Sequence, residues 1–197
     1  GLVGGSVPFY LYFTGLSMIP AVNSALIHKT LVLWVAILAV PLLKENLSRM
    51  QGVAILLLFS SNLVIGGFKG LEFSYGELLT LAATILWAVE NILAKKILPT
   101  VDPDIVTAVR MGIGSIVLLG AALVLTPQSF SGGLILTSTQ WFWMLLTMVT
   151  LFAYVSTWYR ALKLAPAITV TTILVASTVV TNVLSAIFIT GIWSLEL

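Results

Sequence analysis

Residues 21–43 read AVNSALIHKTLVLWVAILAVPLL, an apolar block in which only Lys29 carries a full charge. A helix rises about 1.5 Å per residue and the hydrocarbon layer of a bilayer is roughly 30 Å thick, so about 20 such residues cross it. The block is long enough to span and too apolar to lie in water. Downstream it gives way to KENLSR at 44–49, where charge returns on both sides of a polar stretch. Upstream stands Pro20, whose missing N–H suits the first turn of a helix entered from a tight bend. Before it runs a second apolar block.

The rest of the chain repeats this pattern. Of 197 residues, 59% are hydrophobic and 8% charged, against about 25% charged in an average soluble domain. A soluble fold could not cover itself with so little charge. The net charge of +2 and the scattered nine Lys and Arg exclude a nucleic-acid partner. There is no Cys, and His28 is the one histidine, so no metal site is expected. No GxxxxGK[ST] occurs either, so neither ATP hydrolysis nor a bound cofactor is expected.

Apolar blocks between polar or Pro-marked breaks define seven helical segments, here lettered a to g: about 2–19, 21–43, 50–67, 77–97, 104–125, 140–163 and 166–191. Lys and Arg flanking a span tend to stay cytoplasmic. The b–c link carries Lys44 and Arg49, the d–e link Lys95 and Lys96, and Arg160 and Lys163 flank the f–g link. The c–d link has only Lys69 beside Glu72 and Glu77, and the a–b and e–f links have no Lys or Arg. The three basic links alternate, so one topology satisfies every loop: segment a starts in the cytoplasm and segment g ends outside. The expectation is an all-α integral membrane protein with seven transmembrane helices, multi-pass in the cell (plasma or inner) membrane.

Segments a–b and f–g also resemble each other. GLSMIPAVNSALI (15–27) lies over ALKLAPAITVTTI (161–173) at an offset of 146, matching Leu16/Leu162, Pro20/Pro166, Ala21/Ala167 and Ile27/Ile173. With a equivalent to f and b to g, an odd number of helices separates the copies and the second is inverted. Inverted repeats build many secondary transporters, with the substrate site near the midplane between the halves. At this offset the intact unit has five plus five helices. Residues 1–70 are then the last three helices of a first repeat and 71–197 the first four of a second, and the chain reads as a fragment lacking two helices before Gly1 and one after Leu197.

That architecture resembles the EamA branch of the drug/metabolite transporter superfamily. So do Ala21 to Gln51 with its LLKENLSRMQG ending, GELLTLAATILWAVENILAKK (76–96), PTVDPDIVTAVR (99–110) and YRALKLAPA (159–167). Glu45 matches a Glu that members carry after the fourth helix, whereas the repeat-equivalent position is Gly191. The resemblance implies a ten-helix carrier that moves small organic metabolites, such as amino-acid-like compounds or drugs, often outward, by alternating access.

Polar residues within the spans are the candidates for contact with such a substrate. Glu90 shares roughly one side of segment d with Trp87 and Asn91. An ionisable group at the centre of a span costs at least about 2.5 kcal/mol, so Glu90 is either a proton-coupling or substrate-contacting carboxylate, or one member of a structural pair. His28 and Lys29 point about 100° apart, so at most one faces a cavity; Lys29 suits snorkelling outward and His28 the pathway. Asn23, Thr30 and Trp34 form a separate stripe. Segment f carries Thr147, Thr150, Tyr154 and Trp158, and segment g Thr171, Thr178, Asn182 and Ser185. These stripes either bond between helices or line a wet cavity. Tyr154, Trp158 and Asn182 are the members expected to touch substrate, since rings and amides orient an organic ligand. Arg110 reads as snorkelling to headgroups at the cytoplasmic end, and Ala108 with Gly112 as a close-packing pair.

A small integral-membrane enzyme, such as an acyltransferase or intramembrane protease, would suit the size. However, no GxSxG, HExxH or Ser with a base at readable spacing occurs. A retinal-type photoreceptor would need a lysine in the last helix, and a channel would need a legible filter or charge ring. The partners expected are the lipid bilayer and a small-molecule substrate. The Cys-free sequence makes topology directly testable. Of the single substitutions Ser48→Cys, Thr100→Cys and Ser74→Cys, only the last should react with an impermeant thiol reagent in intact cells; labelling at 48 or 100 would overturn the orientation.

Overall fold

The computed structural model of the chain describes residues 1–65, 73–125, 136–185 and 187. Among these residues every regular element is helical. A π turn over Leu2–Ser6 leads into α1 (Val7–Leu16), followed by α2 (Ala21–Lys29), α3 (Leu31–Leu43), α4 (Arg49–Ile65), α5 (Tyr75–Ile97), α6 (Pro103–Leu125), α7 (Ser138–Leu164) and α8 (Ala167–Ser185). Four stretches are long and apolar enough to cross a membrane: Ala21–Leu43, Tyr75–Ile97, Pro103–Leu125 and Ser138–Leu164. Leu2–Leu16 is a shorter apolar helix. The chain is thus a multi-pass membrane protein, all-helical among the described residues. Lys69, Glu72 and the end of segment g beyond 187 lie outside the described residues.

Segment b departs from the expected single helix, because it breaks at Thr30 between α2 and α3. The Thr30 hydroxyl donates to the Ile27 carbonyl at 2.6 Å, and the Thr30 N–H also bonds to Ile27 at 3.0 Å. This side-chain bond competes with the helical ladder. Thr30 Oγ1 then accepts from Trp34 Nε1 at 3.1 Å, so the expected Thr30–Trp34 stripe satisfies itself.

Three helices begin with a reciprocal cap that satisfies N–H groups the bilayer interface would otherwise strand. Ser74 and Glu77 form one at α5, and Thr137 and Gln140 another at α7. Ser48 and Gln51 exchange the same two bonds at α4, 2.9 and 3.1 Å. Pro20 and Pro166 play equal parts in the two short bends: each offers its carbonyl to the first helical N–H, of Ser24 at 3.2 Å and Val170 at 3.1 Å.

Helix α5 is the spine of the bundle and touches the π turn, α1, α2, α3, α7 and α8. Its inward face is small, with Thr80, Ala83, Thr84 and Ala88 fully buried, and this lets neighbouring backbones approach. Thr80 and Thr84 bond back to Gly76 and Thr80 carbonyls, so their hydroxyls are satisfied without water.

The basic links gather at one end of the bundle. Lys95 Nζ donates to the Leu162 and Ala165 carbonyls at the end of α7, both at 2.7 Å, where orphan carbonyls attract a cation. Glu45 receives the Ala167 and Ile168 N–H groups at the start of α8, 2.7 and 3.1 Å. At the other end Asn23 Nδ2 donates to Glu77 Oε1 at 3.1 Å, which ties the a–b bend to the start of α5.

The Glu45 cap joins α3 to α8 through two charge-assisted bonds. Glu45→Ala should therefore lower stability by about 1–2 kcal/mol, read as a lower Tm in detergent, with Glu45→Gln in between. An unchanged Tm for both variants would show that the cap contributes nothing.

Candidate functional site

The site originates in the first nine residues, GLVGGSVPF. Pro8 has no N–H, so the carbonyl four residues earlier, on Gly4, has no α-helical donor. The backbone widens there into the π turn, with the Val7 N–H bonded to the Leu2 carbonyl. The Gly4 carbonyl instead accepts from three side-chain N–H groups: Trp87 Nε1 at 3.2 Å, Arg110 Nε at 3.2 Å and Arg110 Nη2 at 3.1 Å. The two glycines of the turn have no room for a side chain. A Cβ on Gly4 would collide with the Glu90 side chain, and one on Gly5 would lie 2.5 Å from the Arg110 carbonyl.

The rest of the Arg110 fork turns toward α5 and α7. Its Nη1 donates to Tyr159 Oη at 3.3 Å and lies 3.9 Å from Glu90 Oε2. Tyr159 Oη in turn donates to Glu90 Oε1. The side chains of Arg110 and Glu90 are only 10% and 13% exposed, so each charge needs the other: removing one partner of a buried pair typically costs about 3–5 kcal/mol. The Tyr159 ring also sits 5.7 Å from the guanidinium carbon.

Above this pair opens a cavity of about 270 Å³ walled by residues of α1, α2, α3, α5, α6 and α7. Its polar wall is Glu90, Arg110 and Asn91. Asn91 is fixed from both sides, since its Nδ2 donates to the Trp87 carbonyl at 2.9 Å and its Oδ1 accepts from Trp158 Nε1 at 2.8 Å. The remaining wall is mostly aromatic, with Leu31 and Leu151 between two ring groups. Trp87 meets Phe9 at 5.3 Å, Tyr12 at 5.5 Å and His28 at 5.1 Å between ring centroids, and Tyr154 lies 5.9 Å from Trp158. These are edge and tilted geometries that aromatic quadrupoles favour.

Six of the sequence candidates, Trp87, Glu90, Asn91, His28, Tyr154 and Trp158, line this one cavity. The seventh, Asn182, has its side chain outside the described residues, as do Thr178 and Ser185. Of the adjacent pair on α2, only His28 lines the cavity, and both His28 and Lys29 line a neighbouring pocket of about 120 Å³ with Thr171 and Ser177. Thr147, Thr150 and Thr171 donate to carbonyls four residues back in their own helices. Among the described residues no group of acidic or His side chains could hold a metal.

Two expectations are corrected. Arg110 does not snorkel to headgroups; it is 8% exposed because the freed Gly4 carbonyl and Glu90 supply partners inside the bundle. Gly112 has open space around it and Ala108 is exposed. The close approach involves Gly114 instead, which packs on the Gly5 backbone and lies one turn from Arg110 on the same face. Tyr159 and the Gly4 carbonyl were not among the sequence candidates. The available signal for the carbonyl was a Gly pair placed so that a proline follows four residues after the first.

Comparison with known proteins agrees with this architecture. The EamA-like transporter family model matches residues 1–67 and 74–192. A Bacillus subtilis (strain 168) protein called uncharacterized transporter YyaM is 31% identical over 128 residues, which is 61% of this chain and 42% of that protein. A solved structure, described simply as the crystal structure of a protein, shares the fold with a TM-score of 0.66 at 19% identity, covering 91% of this chain and 63% of its own. The chain therefore spans less than two thirds of the length of either relative.

The turn's tolerance is testable. Gly5→Ala forces its new methyl against a backbone carbonyl that cannot swing aside, and should destabilise by about 1–3 kcal/mol, whereas Gly112→Ala, which meets nothing, should be neutral or slightly stabilising. Equal Tm values for the two variants in detergent would contradict the packing described.

Proposed function

Because this chain belongs to the EamA-like transporter family, we propose that it carries small organic metabolites across a membrane by alternating access, holding them in the aromatic cavity above Glu90 and Arg110. The observation that carries this reading is the convergence of a buried carboxylate, a guanidinium and a clamped amide in one aromatic-walled cavity. Such a mixture of apolar wall and few placed polar groups is what orients a small organic ligand. The charges of Glu90 and Arg110 cancel, which favours neutral or zwitterionic cargo over a simple ion. An amino-acid-like compound would meet the guanidinium with its carboxylate and Glu90 with its ammonium, while the rings receive its apolar part; an amphipathic drug fits the same chemistry. Export is the direction proposed, on the family resemblance, and no ATP is consumed.

The reading includes an architecture. Seven spans of a ten-helix, five-plus-five inverted repeat are proposed, with residues 1–70 closing the first half and 71–197 opening the second, in the cell membrane. The matching Pro20 and Pro166 bends support the repeat, and the gathering of Lys44–Glu45, Lys95 and the α7–α8 bend at one end supports the alternation of links.

The test is counterflow of a panel of labelled amino acids and drugs by the full-length protein in proteoliposomes. For the transported compound, Trp158→Ala and Arg110→Lys should each raise KM by about tenfold or more, since a tenfold change needs only ~1.4 kcal/mol of lost contact. Glu90→Gln strands the Arg110 charge and should lower transport further. Wild-type KM values in well-folded Trp158→Ala and Arg110→Lys proteins would overturn the site.

A further inference from the structure

Two larger cavities adjoin the central one, and each shares a wall with it. The first, about 540 Å³, runs from Gly1–Gly4 along α5 and α6 to Ile97 and Val101, at the end where the basic links gather. It touches the central cavity at Glu90 and Arg110. The second, about 800 Å³, follows α1 and α6 to Ser17 and Leu125, toward the opposite end, and touches the central cavity at Phe9, Phe13 and Leu151. On α5 the first and central cavities meet at Glu90, and on α7 the central and second meet at Leu151, while on the α1 side the second runs beside the central one from Gly5 to Ser17.

We propose that these three cavities are segments of one transport path, with Glu90–Arg110–Tyr159 as the closed barrier on the basic-link side and Phe9, Phe13 and Leu151 as the barrier on the other. The assignment rests on the carrier reading above. The two barriers differ in kind. The second is apolar and parts by rotation of rings. The first is held by polar contacts between α5, α6 and α7, and those contacts are unequal. Arg110 is anchored twice to the Gly4 carbonyl, whereas its approach to Glu90 is 3.9 Å. Displacing the Glu90 and Tyr159 side chains from the guanidinium breaks the Glu90–Arg110 approach and the Arg110–Tyr159 bond while leaving the guanidinium satisfied by Gly4. Glu90 is the moving member, and a ligand donor or entering water takes the place of its lost partner.

The absence of Cys again gives a clean test in the full-length protein. Leu31→Cys reports on the central cavity and Val106→Cys on the basic-link cavity, each probed with an impermeant methanethiosulfonate applied from either face of oriented vesicles. From the basic-link side Val106→Cys should react readily and Leu31→Cys slowly. Adding Tyr159→Phe, which keeps the ring, should speed modification at position 31 from that side by about tenfold, the shift expected from losing one buried hydrogen bond, and leave position 106 unchanged. Phe13→Ala should speed position 31 only from the opposite side. Unchanged rates at position 31 in the Tyr159→Phe background, or acceleration by Phe13→Ala from the basic-link side, would overturn the barrier assignment. The outcomes separate from the carrier reading: accelerated labelling without any solute counterflow would sink the carrier and keep the barriers, and counterflow without acceleration would do the reverse.

Discussion

A proline that cannot donate sets the geometry of this molecule's centre. Pro8 deprives the Gly4 carbonyl of its helical partner, and in a low-dielectric bundle an orphan carbonyl must find a donor or destabilise the fold. Three side-chain N–H groups from α5 and α6 converge on it. That capture draws Arg110 inward, brings α6 onto the π turn closely enough that Gly5 and Gly114 meet backbone to backbone, and orients Trp87 as a cavity wall. Glu90 then balances a charge that would be untenable alone, and Tyr159 bridges the two. The sequence of causes runs from one missing N–H to a polar cluster contributed by four helical elements.

The ends of the bundle obey a different logic. There, charge works at helix termini, where dipole and unsatisfied backbone groups add to each ion's interaction. Lys95 closes the carbonyl end of α7, Glu45 the N–H end of α8, and the Ser–Gln, Ser–Glu and Thr–Gln boxes close the starts of α4, α5 and α7. The exposed Arg160–Asp104 pair, at 2.9 Å, adds little by comparison, since solvated ion pairs are typically worth about 0–1 kcal/mol. Fixed ends and a centre held by a few unequal contacts are what a bundle needs if its middle is to open without unravelling.

Much of this was legible in the sequence, for physical reasons. The boundaries of the apolar segments follow from a solvent that tolerates no charge, and the cavity candidates follow from asking why a carboxylate, amide or imidazole stands where lipid would exclude it. Those two questions reached Glu90, Asn91, His28, Tyr154 and Trp158. Arg110 escaped because a long side chain one turn from a helix start can reach headgroups as readily as a core; only the Gly4 carbonyl decides between the two, and a backbone acceptor has no letter in the sequence. Gly112 misled for a related reason. Spacing identifies a small pair, but the face it lies on is fixed by the neighbour, and that neighbour meets the Arg110–Gly114 face. The break at Thr30 was hidden because a threonine within an apolar run is compatible with a continuous helix until its hydroxyl takes a carbonyl from the ladder.

The pairing of Glu90 with Arg110 also bears on how a carrier can return empty. Moving one elementary charge across a membrane potential changes its energy by about 2.3 kcal/mol per 100 mV, so a carrier with a lone charge at its midplane would be driven toward one orientation whenever unloaded. Here the carboxylate and guanidinium lie 3.9 Å apart, and whether joined or parted within the bundle their charges sum to zero. A zwitterion that exchanges partners with them adds no net charge. On the proposed carrier reading, the same cancellation that makes the pair tolerable in a low-dielectric bundle would leave the energetics of loaded and empty forms similar in the field, and the direction of net movement would be set by the cargo gradient and whatever is coupled to it.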